Sequence, residues 1–330
     1  MRSLRAVLVV ALLGFFAACS GSTGTASGST PAPAPATGVT VYAQGATGNA
    51  PPLRSIAGPT TGLQFPSAIA VDASRNRYVA DRAADSVSVF AGNALGNAAP
   101  FRTIGGSRTR LALPTGIALD RSGDVYVVNR SGNTITVYRP AANGNARPNR
   151  TIAGSATELN GPTSIALDEQ QNIYVTNLGE QSVAEFAPAA NGNVAPLRVI
   201  RGKRTRLTGA FGITVDRAGT VYVVNSDDNG IEGVLIFGAT AKGNVAPSRI
   251  IAGSATELET PSGVAVDASG RIFVSDHGGN STVGAIRVYA KDAKGNAAPT
   301  YAIAGSATRL RPYGLTIAPS GEINAVNKTE

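Results

Sequence analysis

The sequence predicts an all-β protein, a six-bladed β-propeller with four-stranded blades. Three observations predict it. One unit of about 48 residues is written six times from Val39 onward, each unit holds four short strand-like segments, and the chain begins and ends in mid-unit.

The first segment of each unit is VTVY, VSVF, ITVY, VAEF, VLIF or IRVY, starting at Val39, Val87, Ile135, Val183, Val234 and Ile286. Alternating β-branched and aromatic residues in runs this short favour strands over helices. A loop with Gly-Asn and then proline follows, at Gly48, Gly96, Gly144, Gly192, Gly243 and Gly295, which is turn chemistry. The second segment is marked by Ile56, Ile104, Ile152, Ile200, Ile251 and Ile303. A polar loop leads to the third, starting at Ala68, Gly116, Ser164, Gly212, Gly263 and Gly314. The fourth ends at Asp81, Asn129, Asn177, Asn225, Asp276 and Asn327, with a tight turn such as Arg121-Ser122-Gly123-Asp124 before it.

No helical periodicity occurs after residue 38, which excludes a helical solenoid. The phase predicts closure in a two-plus-two blade. The N-terminal pair, Val39 to Tyr42 and Leu53 to Ile56, complements the C-terminal pair near Tyr313 to Ile317 and Ile323 to Val326, which removes exposed sheet edges.

Gly-Ile-Ala-Leu-Asp, a Ser-Gly turn, Val-Tyr-Val-Val-Asn and Ile-Thr-Val-Tyr together resemble NHL repeats, over essentially all of Val39 to Asn327. The resemblance implies the propeller fold. Related six-bladed proteins bind proteins or nucleic acids, hydrolyse lactones or open peptide rings, so it leaves the chemistry open.

The N-terminus reads as an export segment, with Arg2 and Arg5, an apolar run from Ala6 to Phe16, then Ala17 and Ala18 before Cys19. Phe16-Ala17-Ala18-Cys19 resembles the bacterial lipobox, with Phe where Leu is usual. That resemblance implies a signal peptide over 1–18, a lipid on Cys19, and a chain exported and anchored to a bacterial membrane on its extracytoplasmic side. Cys19 is the only cysteine, so the chain offers it no disulfide partner. Residues 19–38, rich in Gly, Ser, Thr and Pro, read as a tether ahead of the propeller at 39–330. Of the formal charge of +8, Arg2 and Arg5 would leave on processing, so +6 is scattered over the rest without a polybasic block.

A lyase resembling the streptogramin-cleaving propellers would carry histidine and glutamate around a metal, and the single histidine, His277, reads instead as a solvated loop residue. A lactonase-like site would gather oxygen ligands around Ca2+ or Mg2+ in the channel mouth. The ring Asp81, Asn129, Asn177, Asn225, Asp276 and Asn327 has one oxygen-bearing side chain per blade and is the candidate ion or ligand ring; the alternative is turn capping. Asp72, Asp120, Asp168, Asp216 and Asp267, with Ala318 in the sixth unit, also suggest turn capping. No GxSxG, HExxH or P-loop motif occurs, so no catalytic residue is assigned.

Blade-to-blade differences point elsewhere. Arg108 and Arg110, then Arg201, Lys203, Arg204 and Arg206, then Arg309 and Arg311 make basic loops, whereas the matching stretches carry Glu158, Glu257 and Glu259. These loops suit a protein partner or an anionic envelope component such as a glycan. Nucleic acid is not expected, because no stacking aromatics accompany the arginines, and a monomer is expected. Longer stretches at Ser226 to Gly233 and His277 to Ala285 mark a binding side. A binding or scaffold propeller is the leading expectation, and a metal-dependent hydrolase or lyase the alternative.

Overall fold

A computed structural model describes residues 36–227, 230–279 and 284–328. The export segment, Cys19 and the tether as far as Pro35 lie outside the described residues.

The chain opens with β1 (Gly38–Tyr42) and β2 (Arg54–Ala57). Blade 1 is β3 (Pro66–Val71), β4 (Arg77–Asp81), β5 (Ser86–Phe90) and β6 (Arg102–Gly105). Blade 2 is β7 (Pro114–Leu119), β8 (Val125–Asn129), β9 (Thr134–Tyr138) and β10 (Arg150–Ile152). Blade 3 is β11 (Pro162–Leu167), β12 (Ile173–Asn177), β13 (Ser182–Phe186) and β14 (Arg198–Arg201). Blade 4 is β15 (Ala210–Val215), β16 (Val221–Asn225), β17 (Gly233–Phe237) and β18 (Arg249–Ala252). Blade 5 is β19 (Pro261–Val266), β20 (Ile272–Asp276), β21 (Ala285–Tyr289) and β22 (Tyr301–Ala304). The last strands are β23 (Pro312–Ile317) and β24 (Ile323–Asn327).

Blade 6 joins the two ends of the chain in the order β2-β1-β24-β23, with Gly38 opposite Asn327 and Tyr42 opposite Ile323. The two-plus-two closure read from the repeat phase is therefore present, and all six sheets have four antiparallel strands.

The core lies between blades. Tyr126, Val128 and Val137 of blade 2 pack with Ile165, Ile173, Val175 and Phe186 of blade 3, and equivalent clusters fill the other junctions. Both faces of each sheet are covered, which is why β8 reads VYVVN, apolar without alternation. Each fully buried Ile or Val adds about 1.5–3 kcal/mol.

The Gly-Asn loops do more than turn the chain. Gly96 has φ 63°, in the region glycine enters without strain, and its N–H and C=O bond to Ser55 and Ala57 on the outer strand of blade 6. Asn97 Oδ1 then accepts the Thr60 N–H at 2.7 Å. Asn49, Asn145, Asn193, Asn244 and Asn296 repeat this staple at the other five junctions.

Candidate ligand-binding site at the channel mouth

The innermost strands β3, β7, β11, β15, β19 and β23 surround a central cavity of about 360 Å³. Ile69, Ile117, Ile165, Ile213, Val264 and Leu315, one from each blade, supply its aliphatic wall. Phe65, Arg82, Arg130, Phe211 and Tyr313 line it as well.

All six inner strands carry an irregularity near their first residue, as between Pro66 and Ala68, so the extra residue leaves the ladder. In four blades that residue has a hydroxyl that donates to the next blade's inner strand. Ser67 bonds Pro114 O, Thr115 bonds Pro162 O, Thr163 bonds Ala210 O and Ser262 bonds Pro312 O, at 2.7–3.2 Å. Blades 4 and 6 replace the hydroxyl with Phe211 and Tyr313, which break the symmetry.

The Asn/Asp ring sits inside the blades. Asp81, Asn129, Asn177, Asn225, Asp276 and Asn327 are fully buried. Their side-chain oxygens accept N–H groups from the loop entering the same blade: Gln64 and Phe65, Ala112, Asn160, Thr208 and Gly209, Glu259 and Thr260, and Arg311. Asn129 and Asn327 donate in turn to Thr136 and Thr40 at 3.0 and 2.9 Å, and Asp276 meets Arg287 at 2.8 Å. These contacts are those of the loop-capping alternative. Among the described residues no three His, Cys, Asp or Glu side chains gather into a group that could hold a metal ion.

The residue after each cap varies from blade to blade, and two of the six, Arg82 and Arg130, line the cavity. Arg82, Arg130, Leu178, Ser226, His277 and Lys328 occupy equivalent places, each half-buried. Each is fixed by its backbone N–H to the carbonyl of the residue just before the next-inner strand: Phe65, Leu113, Gly161, Gly209, Thr260 and Arg311. Successive strand side chains alternate direction, so a cap that points into the blade is followed by a residue that does not. The cations are contiguous, on blades 6, 1 and 2.

Electrostatically this arc is unusual. Arg82 stands 5.0 Å and Lys328 Nζ 4.0 Å from the centre of the Phe65 ring. The two charges are therefore at most about 9 Å apart, a repulsion near 2 kcal/mol at an effective dielectric constant of about 20. Cation–π attraction offsets part of it. Phe65 meets Tyr313 edge-on at 5.1 Å, and Tyr313 meets His277 at 4.6 Å. His277 is thus half-buried and packed on Tyr313, not the solvated loop residue its Gly-rich surroundings suggest. The side chains of Arg82, Arg130 and Lys328 have no ion pair or hydrogen bond among the described residues, and no acidic residue lines the cavity.

The matching segment of known sequence lies in blade 5. Residues 258–286 match the NHL repeat. Comparison with curated proteins yields no match. A structure described as a streptogramin B lyase is similar at TM-score 0.52 and 14% identity, covering 83% of each chain. A protein of unknown function from Bacteroides caccae is similar at TM-score 0.59 and 10% identity, over 86% of this chain and 98% of that one. A putative 6-phosphogluconolactonase from Bacteroides fragilis is similar at TM-score 0.55 and 14% identity, over 80% and 75%. At these identities the likeness shows the fold alone.

The NHL repeat of blade 5 contains both the buried cap Asp276 and the mouth residue His277. Set against it, the other blades keep the cap and vary the mouth. The basic loop residues Arg108, Arg110, Arg204, Arg206, Arg309 and Arg311 lie in the loops that the caps hold, so they share the end of the channel with the mouth. Arg110, Arg206 and Arg309 take the same left-handed position, at φ 58–61°, as Glu158 and Glu257. Arg201 pairs with Glu158 and Glu180 at 3.1 and 3.5 Å, so it belongs to a mixed-charge sector.

At the opposite end, Asp120 accepts N–H groups of Ser122 and Asp124, and Asp72, Asp168, Asp216 and Asp267 cap equivalent turns. The longer stretches after Asn225 and Asp276 include 228–229 and 280–283, which lie outside the described residues.

Proposed function

We propose that this protein is an exported binding propeller, lipid-anchored through Cys19 to a bacterial membrane, that captures an envelope component or a segment of a protein partner at the channel mouth. The export and anchoring rest on the N-terminal sequence, from Arg2 to Cys19. The binding role rests on one observation: where the buried caps and the Gly-Asn staples repeat around the ring, the residue after the cap and the residue left out of the inner-strand ladder do not, and the departures set Arg82, Arg130, Phe211 and Tyr313 in one cavity lining, with Lys328 beside it over the Phe65 ring. Catalytic and recognition sites break a repeat's symmetry, whereas scaffold positions follow it. The protein acts as a monomer in this role, without a nucleic-acid ligand.

The test is capture from solubilised envelope by the immobilised full-length chain, wild type against Arg130→Trp, which puts bulk in the cavity lining in place of a cation. Components held by the wild type and lost by Arg130→Trp support the mouth as the site; equal capture by both refutes it. In parallel, Cys19→Ser should move the protein from the membrane to the soluble fraction, and continued membrane retention would defeat the anchor.

A further inference from the structure

Building on that mouth, we infer that the site selects small amphipathic anions, with a carboxylate or phosphate head held by Arg82, Arg130 and Lys328 and an apolar body lowered into the channel against Phe211, Ile165 and Ile213.

Two features of the cavity impose both halves of this ligand. At the rim, cations occupy three neighbouring blades, and neither a carboxylate nor a hydrogen-bond acceptor of the chain meets their side chains among the described residues. Like charges gathered without a counter-charge are stabilised by an anion, and guanidinium groups bind carboxylate or phosphate oxygens through paired hydrogen bonds. Arg82 and Lys328 flank Phe65, and Phe65 rests on Tyr313, so both cations have one neighbour that limits their freedom before a ligand arrives. Binding then orders fewer side chains, which favours affinity.

Below the rim, the wall changes character. Each blade contributes an aliphatic residue there, beside hydroxyl-bearing Thr163, Thr214 and Thr316, and Phe211 stands at the top of this wall on blade 4, at the position Tyr313 takes on blade 6 and away from the cationic blades 6, 1 and 2. An inorganic anion would satisfy the rim and leave this wall wet. A neutral apolar molecule would fill the wall and leave the cations unpartnered. A molecule carrying both parts satisfies each, and the cavity of about 360 Å³ limits it to a compact body.

The probes are phenyl phosphate, benzoate, inorganic phosphate and benzyl alcohol, titrated calorimetrically into the full-length chain. Phenyl phosphate and benzoate should bind one per chain, at least about tenfold more tightly than inorganic phosphate or benzyl alcohol, and the tighter of the two identifies the head group. Arg82→Gln, Arg130→Gln and Lys328→Gln should each weaken phenyl phosphate about tenfold or more without lowering the thermal melting point, and added salt should weaken it further. Benzyl alcohol binding as tightly as phenyl phosphate, or all three variants binding it like wild type, would overturn the inference. So would the absence of binding by every probe. If benzyl alcohol alone binds and Phe211→Ala abolishes it, charge selection falls while the mouth survives as a site; if envelope capture is also indifferent to Arg130→Trp, the mouth itself falls.

Discussion

Replacing Glu322 with glutamine should loosen the seam where the ring closes. Arg77, fully buried at the start of β4, stands where the other blades have Val125, Ile173, Val221, Ile272 and Ile323. Its Nε donates to Asn324 Oδ1 at 2.8 Å across the junction of blades 1 and 6, and Asn324 in turn replaces the aromatic residue of the other blades. Glu322 lies 2.5 Å from Arg54 and 3.9 Å from Arg77. Burial first, and then the Arg54 charge, push the Arg77 guanidinium below its usual range, while Glu322 opposes both. Losing one partner of a buried pair costs about 3–5 kcal/mol. The long Arg77 contact and the partial exposure of Arg54 reduce this to about 2–3 kcal/mol for Glu322→Gln. For a domain of this size that lowers Tm by roughly 3–5 °C. Thermal melts followed by circular dichroism would measure it, with the same substitution repeated in an Arg77→Val background, where the cost should shrink by at least about 1 kcal/mol. A Tm change below about 1 °C, or an equal cost in both backgrounds, would refute an electrostatic seam.

Two further outcomes are expected. Tyr138 is buried and donates to Thr109 O at 2.6 Å; burial pushes its hydroxyl up to about 12. Because the folded value exceeds the unfolded value of about 10, its contribution is whole below pH 10 and is lost as pH rises from 10 to 12, an effect of about 2–3 kcal/mol. Urea midpoints at pH 9 and 11.5 should therefore diverge less in Tyr138→Phe than in wild type, and an unchanged difference would contradict the assignment. Asn129→Ala strands the Ala112 N–H and the Thr136 hydroxyl, costing about 1–3 kcal/mol in a urea melt. Millimolar Ca2+ should leave both melts where they were; a Ca2+-dependent stabilisation lost in Asn129→Ala would restore the ion-ring alternative.

Much of the fold was legible because a propeller repeats its own instructions. The Val39 and Ile56 segments, lacking partners within their own unit, called for the Tyr313 and Ile323 segments, and blade 6 pairs them. The capping role of Asp120 was readable from the Asp-Arg-Ser-Gly turn. The site was less legible. Asp81 and its equivalents stand out in the sequence as oxygen-bearing side chains at strand ends, yet it is the next position, which shares no common chemistry, that puts Arg82 and Arg130 in the cavity lining. Their signal was variation at a fixed position, visible by aligning the six units on the cap. His277 reads as solvated in the sequence because its neighbours are glycines, whereas in the fold it is half-buried and packs on Tyr313 of blade 6.

The sequence alone determined the blade count and the closure, since both depend on patterning that recurs in register, and it offered the Asn/Asp ring both as an ion ring and as turn caps. Tertiary structure decided which side chains meet around the axis. That assignment depends on the irregularity in each inner strand, on Arg82 and Arg130 meeting in one cavity lining, and on Lys328 reaching the Phe65 ring beside it. Arg82 and Lys328 are 246 positions apart in the chain, yet both stand against the ring of Phe65. Closing the ring brings them together, and no stretch of sequence contains that distance.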